Sequence, residues 1–351
     1  MKINKNSPVS VAEWERLYEL AVKLKALEPW EWMDEQDIFG VQNPETGEIG
    51  FVSIMGMLGE HLSMCVYLGA EGLHGYWDMS DPIADLENNP FAMFEVPQIQ
   101  ASFEDREMLE KQDLDIIKKL GLKFRGNQNY PLFRSIKPGF MPYFVESEEA
   151  RFLIYAMEQT LAMLPRFYDE ENLLPDPDED LILVQVPETQ NGELVWHDEV
   201  TTVSPPERTD IAFEVPSEAI DQVKELPQKL GQVLEIDLFY APMPIGEKGK
   251  RRYIPKMLLI TDAKRGLILG CELIKPEETI PESVARVPLY LIENLLKLKN
   301  RPSEISVSSG LLFEAFKTFT QQINVKLRRT DFLPTMDEAK ESLSSYFESG
   351  F

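Results

Sequence analysis

An α+β protein of two domains is what this sequence predicts, and three observations carry the expectation. The chain has 351 residues, more than one ordinary hydrophobic core holds. Its apolar pattern changes along the chain, from short alternating runs at close spacing to strands interleaved with helix-length segments. Between these two regions lies a stretch of concentrated negative charge. We therefore expect a mixed N-terminal domain over residues 1–168, with an antiparallel strand meander and helices. An acidic connecting segment spans 169–216. A C-terminal α/β domain over 217–351 has three antiparallel strands and then alternating helices and strands.

Ser10 opens the first helix, and Glu13 three residues later completes a capping box. Trp14, Leu17, Tyr18, Ala21, Val22 and Leu24 recur at helical spacing, and Pro29 ends the helix. Asp37–Gln42, Glu48–Met55 and His61–Leu68 read as strands, the first two joined by a turn over Asn43–Gly47. A helix follows Gly69 and is interrupted by Pro82. Phe94–Phe103 reads as a strand that Pro97 consigns to an edge. Asp113–Leu120 is a helix closed by Gly121. The run from Phe124 to Val145 holds three prolines and two glycines and reads as irregular. Ser147 caps a helix apolar on most sides, hence buried, which Pro165 stops.

From Arg166 to Glu214 there are fourteen acids and two bases, so nearly half the net charge sits in the connecting region. Asp176, Asp178 and Asp180 begin like a calcium loop. Leu181 then stands at the turn glycine and Pro187 at the bidentate glutamate, so a self-repelling linker is the expectation. Leu181–Val186 and Leu194–Val203 are its strand candidates. Beyond it, Val233–Tyr240 alternates, and Lys256–Thr261 with Gly266–Leu273 makes a hairpin. Thr279 and Glu282 form a capping box for a helix to about Leu298, kinked at Pro288. Glu304–Ser308 is a strand, Ser309 caps the next helix, Ile323–Leu327 is the last strand, and Thr335 with Glu338 caps a final helix.

A net charge of −25 repels nucleic-acid phosphates and anionic lipid, which argues against both as partners. Cys65 and Cys271 lie far apart, which excludes a disulfide scaffold and suits a reducing compartment. The first residues lack a signal-peptide core, and no apolar run reaches the ~18 residues that span a bilayer. The expected location is the cytoplasm. P-loop, dinucleotide, CxxC, HExxH and GxSxG patterns are absent. No metal site is expected: His61 and Cys65 share a strand face but stand roughly 13 Å apart, too far for one zinc.

The order of elements after Gln232 resembles the ribonuclease H-like fold. In that fold a first-strand aspartate helps hold two divalent cations, a role Asp237 would take here by resemblance. Glu235 shares its face. The acid that closes the fourth strand is replaced by Ser308 and Ser309, and Asp331 or Glu282 would have to complete a set. The plainer explanation is a solvated strand face, with Glu282 serving its capping box. Two basic clusters, Lys248, Lys250, Arg251 and Arg252 with Lys326, Arg328 and Arg329, would bind an anion if they met on one face. The plainer explanation is a charged loop and a blunted edge strand. Aromatics concentrate in the N-terminal domain. Trp30, Trp32, Trp77, Tyr130, Arg134 and Tyr143 are the candidates for a peptide-binding surface, against the simpler reading of core packing.

Three stretches, PWEWMDEQDIFGVQNPETGEIGFVSIMGMLGEHLSMCVYLGAEGL, FRGNQNYPLFRSIKPGFMPYFV and PKMLLITDAKRGLILGCELI, resemble bacterial proteins that pair two domains of unknown function. The resemblance implies a two-domain, cytoplasmic protein and no established activity. The expectation is a non-enzymatic binding or scaffolding protein for a protein or peptide partner, with no cofactor. The alternative is a phosphodiesterase dependent on Mg or Mn, built on Asp237.

Overall fold

The computed structural model describes residues 7–80, 91–170, 173–175, 181–206, 211, 213, 215–247, 249–276 and 284–349. The chain divides into two compact units, residues 1–137 with 142–207, and residues 138–141 with 208–351. Both are α+β, and each is built on one mixed sheet.

The first unit opens with helix α1 (Val11–Leu27), where Ser10 and Glu13 form the expected capping box. Strands β1 (Phe39–Gln42), β2 (Ile49–Met55), β3 (Ser63–Leu68), β4 (Gln98–Glu104) and β5 (Tyr130–Ile136) follow, with helix α2 (Gly69–Ser80) after β3 and α3 (Lys111–Lys119) after β4. They form the antiparallel meander the short spacings suggested. Helix α4 (Ser147–Asp169) then leads to β6 (Leu181–Gln190) and β7 (Glu193–Thr202). The sheet order is β5-β4-β3-β2-β1-β6-β7, with β6 parallel to β1.

Alternation along β2 and β3 splits the apolar side chains between two layers. Val52, Ile54, Met64 and Val66 face the core shared with α1 and α4, while Phe51, Cys65 and Tyr67 meet Leu73 and Tyr76 of α2 on the other face. The missing side chain of Gly50 leaves room for Phe152 of α4. A Cβ there would lie 2.5 Å from Val66 and 2.7 Å from the Phe152 ring, so a larger residue would push the helix off the sheet.

Three local expectations need correction, and the strand candidates of the acidic stretch appear as a longer pair. Pro97 does not make β4 an edge strand. It precedes the first paired residue, so no ladder donor is lost, and its carbonyl accepts from Leu68 N. The segment expected to be irregular contains β5. Pro165 does not end α4, which runs one further turn with Phe167 packed on Phe39 and Glu170 N bonded to the Arg166 carbonyl. Within the acidic stretch, residues 181–202 are a sheet hairpin. Its turn is Asn191-Gly192, both at positive φ, the pair that two-residue hairpins require. Asp176, Asp178 and Asp180 lie outside the described residues.

In the second unit a short helix α5 (Ser217–Lys224), unforeseen in the sequence, precedes β8 (Gln228–Tyr240), β9 (Lys256–Asp262) and β10 (Leu267–Ile274). Helix α6 (Val287–Leu298), β11 (Arg301–Val307), α7 (Gly310–Gln322), β12 (Lys326–Arg329) and α8 (Pro334–Ser349) complete it. The order is β10-β9-β8-β11-β12. The first three strands are antiparallel, and β8, β11 and β12 are parallel. Leu234, Ile236, Ile305 and Val307 pack with Leu291, Phe316 and Phe319 of α6 and α7 on one face. Helix α8 covers the opposite face, where Met336 and Leu333 meet Met257 and Leu259. Thr279 and Glu282 lie outside the described residues. Ser309 accepts from Leu311 N and Leu312 N, capping α7 as expected.

Candidate functional site

On β8 every second residue points away from the apolar core, which places Glu235 and Asp237 together under α8. The sequence suggested a solvated face. The structure buries both, at 5% and 7% exposure, because the final helix lies on them. Buried carboxylates need partners. Glu235 Oε2 accepts from Thr335 Oγ1 at 2.6 Å and from Met336 N at 2.9 Å. It therefore caps the first turn of α8, where free N–H groups and the helix dipole favour an anion. Thr335 serves as the donor to this strand carboxylate.

Asp237 has a different partner. Lys340 Nζ lies 2.5 Å from Asp237 Oδ2 and 4.8 Å from the Phe239 ring centroid. Ser308 Oγ donates to Asp237 Oδ1 at 3.4 Å, and Leu238 N donates to the same oxygen at 2.9 Å. Both carboxylate oxygens are thus occupied, and their charge is neutralised by an ammonium from the last helix. Asp331 is exposed in the turn before α8. Among the described residues no group of three or more His, Cys, Asp or Glu is placed to hold a metal ion. Glu282 lies outside them.

Lys340 is the residue that sequence reasoning missed. Its signal was present: Met336, Ala339 and Leu343 mark the buried face of α8 by their spacing, and Lys340 falls on that face. It is the only basic residue in the helix.

The basic clusters sit at one end of the sheet. Lys250, Arg251 and Arg252 belong to the connection from the carboxyl end of β8. Arg328 and Arg329 close β12, which runs parallel to β8 with β11 between them. Lys250 pairs with Glu247 at 2.6 Å, Lys326 with Glu304 at 2.8 Å, and Arg329 Nε donates to the Ser308 carbonyl at 3.2 Å. Arg252 and Arg328 are exposed, and Arg251 is half-buried. Lys248 lies outside the described residues.

The aromatic candidates of the first unit do not form one surface. Trp30 is 2% exposed in the core against Phe103. Arg134 is 6% exposed and grips Asp113 with both nitrogens, at 2.9 Å and 2.7 Å, while its guanidinium lies 4.5 Å from the Phe144 ring centroid. Neither is available to a partner. Trp32 and Trp77 are partly exposed, but Trp32 rests on Tyr168 at the end of α4, and Trp77 rests on His74 of α2, across the sheet. Tyr130 and Tyr143 are half-buried. Tyr130 donates to the Phe124 carbonyl, and the Tyr143 backbone pairs with Ser135.

A second polar network ties α1 to α4. Glu13 accepts from Ser147 Oγ at 2.7 Å and pairs with Arg151 at 3.2 Å, and Arg151 also holds Glu45 at 2.7 Å. Burial alone would push the Glu13 carboxyl up. The Ser10 N–H, the two serine hydroxyls and Arg151 outweigh it and hold the group below its ordinary range. Both cysteines are free thiols. Cys65 is buried, which pushes its pKa up to about 11.

Comparison with known families agrees with the two units. Residues 14–185 match a domain of unknown function (DUF7309). Residues 219–344 match another domain of unknown function (DUF6930). The two matches lie in series along the chain. No curated protein matches it. The DUF6930 match runs from α5 through most of α8, so Asp237, Ser308 and Lys340 all lie inside it. The DUF7309 match ends within β6 and contains the Arg134–Asp113 pair. Among the described residues no helix is long and apolar enough to cross a membrane.

Proposed function

We propose that this chain is a binding or scaffolding protein whose second unit is a ribonuclease H-like domain without phosphodiesterase chemistry. The strand order, with three antiparallel strands and two parallel additions, supports that architecture. The observation that carries the functional reading is the ion pair of Asp237 with Lys340. A two-metal phosphodiesterase needs several carboxylates converging on divalent cations. Here the first-strand acid meets one ammonium and one hydroxyl, and the neighbouring Glu235 is committed to capping α8. An ammonium on this carboxylate competes with any divalent cation and adds no Lewis acid.

The test is a cleavage assay on a labelled RNA–DNA hybrid with Mn²⁺, using the full chain and Asp237→Asn. The expected result is no turnover above a buffer blank in either protein. Cleavage by the unmodified chain that Asp237→Asn abolishes would overturn the reading.

A further inference from the structure

Charge is segregated in the first unit. From Ile116 to Val145 the chain has six basic residues and no acid, while all 60 acids lie elsewhere. Two of the six are engaged. Arg134 is buried on Asp113, and Lys137 lies within 3.8 Å of Glu146 and 3.4 Å of Glu149. The other four, Lys118, Lys119, Lys123 and Arg125, are exposed, and among the described residues none has a carboxylate within ion-pair distance.

These four are displayed on the last turn of α3 and the connection after it, which is held in place. Helix α3 closes with Gly121 N bonded to the Lys118 carbonyl and Leu122 N to that of Ile117. Phe124, between Lys123 and Arg125, turns inward and stacks on Tyr18 with centroids 5.9 Å apart, so its two neighbours point outward. Tyr130 Oη donates to the Phe124 carbonyl at 2.9 Å, and Asn129 Nδ2 donates to the Arg125 carbonyl at 2.9 Å. Gln128 anchors the far side, its N–H on Asp105 at 2.8 Å and its amide on the Gly59 carbonyl at 2.9 Å. A helix end and a fixed connection that carry four like charges close in sequence set up repulsion that an anionic partner relieves, and little ordering entropy is lost on binding.

We propose that Lys118, Lys119, Lys123 and Arg125 form a docking surface for a carboxylate-rich segment of a partner protein. Lys118 and Lys119 also suit the carboxyl end of a helix, but Lys123 and Arg125 lie beyond it and gain nothing from its dipole. Solubility needs no added base on a chain of net charge −25. The four bases fall within eight residues of chain, 118–125, so a short acidic segment is enough to meet them. A long nucleic acid would run past it toward exposed acids such as Asp115 of the same helix, within the ~10 Å reach of unscreened charge at 0.1 M salt. This inference deepens the binding reading, and its experiment does not involve Asp237.

The probe is a fluorescein-labelled decaglutamate peptide, titrated with the full chain and followed by fluorescence anisotropy. Binding that weakens with added salt is expected. The quadruple variant Lys118→Ala, Lys119→Ala, Lys123→Ala, Arg125→Ala should bind about tenfold more weakly or worse with an unchanged circular dichroism spectrum. A control quadruple at exposed bases of the second unit outside its basic clusters, Lys264→Ala, Arg265→Ala, Lys299→Ala, Lys317→Ala, has the same net charge and should bind as the unmodified chain does. Lys118→Arg with Lys119→Arg and Lys123→Arg should retain binding. Equal weakening in both quadruple variants would reduce the effect to net charge and overturn the proposal. No peptide binding, or tighter binding of a single-stranded oligonucleotide of equal charge, would overturn it as well.

Discussion

Each unit buries an aspartate against a base, and the two pairs are built differently. In the first unit Arg134 and Asp113 meet through two parallel hydrogen bonds, with side chains 7% and 6% exposed. The remaining capacity is filled: Asp113 accepts from Glu110 N, and Arg134 donates to the Phe133 carbonyl. In the second unit Lys340 meets Asp237 through a single nitrogen, with side chains 33% and 10% exposed. A planar fork locked in a core fixes how α3 sits against β5. An ammonium on a flexible stem is a point charge that another cation can replace. The first pair is part of the scaffold. The second stands where the resemblance would put chemistry, and it occupies that place with a lysine.

The largest expected effect breaks the first pair alone. Arg134→Met leaves Asp113 buried without its partner and should cost ~3–5 kcal/mol in urea unfolding of the chain. A loss under ~1 kcal/mol would mean the pair is far more hydrated than its burial indicates. Lys340→Met should cost less, ~1–2 kcal/mol, because Asp237 keeps the Ser308 hydroxyl and the Leu238 N–H and lies nearer solvent. If the two substitutions cost the same, the contrast between scaffold pair and replaceable pair fails.

The Asn191-Gly192 turn gives a smaller and purely conformational effect. Nothing lies within 4 Å of a Cβ built on Gly192, whose φ is +84°. Gly192→Val should therefore lose about 1–2 kcal/mol, the cost of a left-handed residue with a side chain. The smallest effect is a change of slope with pH. Glu13 titrates below its ordinary range in the folded chain, so its contribution is present above the unfolded-state value and disappears as pH falls through the folded value. Glu13→Gln should lower the melting temperature at neutral pH and converge with the unmodified chain as pH falls below the ordinary carboxylate range, through the folded-state value. Parallel curves across that window would show that the network contributes no proton linkage.

Much of the fold was legible because local signals agreed with tertiary ones. The Ser10–Glu13 box, the meander spacing and the Ser309 cap each rest on a few neighbouring residues, and each appears as read. The misses came where tertiary context overrode a local rule. Pro165 was outvoted by Phe167 packing on Phe39, and Pro97 fell one residue before the strand it seemed to weaken. The strand candidates Leu181–Val186 and Leu194–Val203 are joined through the Asn191-Gly192 turn, a local signal that prevails over the repulsion of the acids around it. At the second unit's site, Asp237 and Ser308 could be named from strand ends alone. Their partner could not, because Lys340 meets Asp237 across 103 residues of sequence. Only the packing of α8 over the sheet brings them together.

That contact is tested most directly by calorimetric titration of Mn²⁺ into the full chain, Asp237→Asn and Lys340→Met. The account expects no micromolar binding to the unmodified chain, an unchanged result for Asp237→Asn, and a gain of heat only when Lys340 is removed. Micromolar binding to the unmodified chain that vanishes in Asp237→Asn would contradict it and return the second unit to metal chemistry.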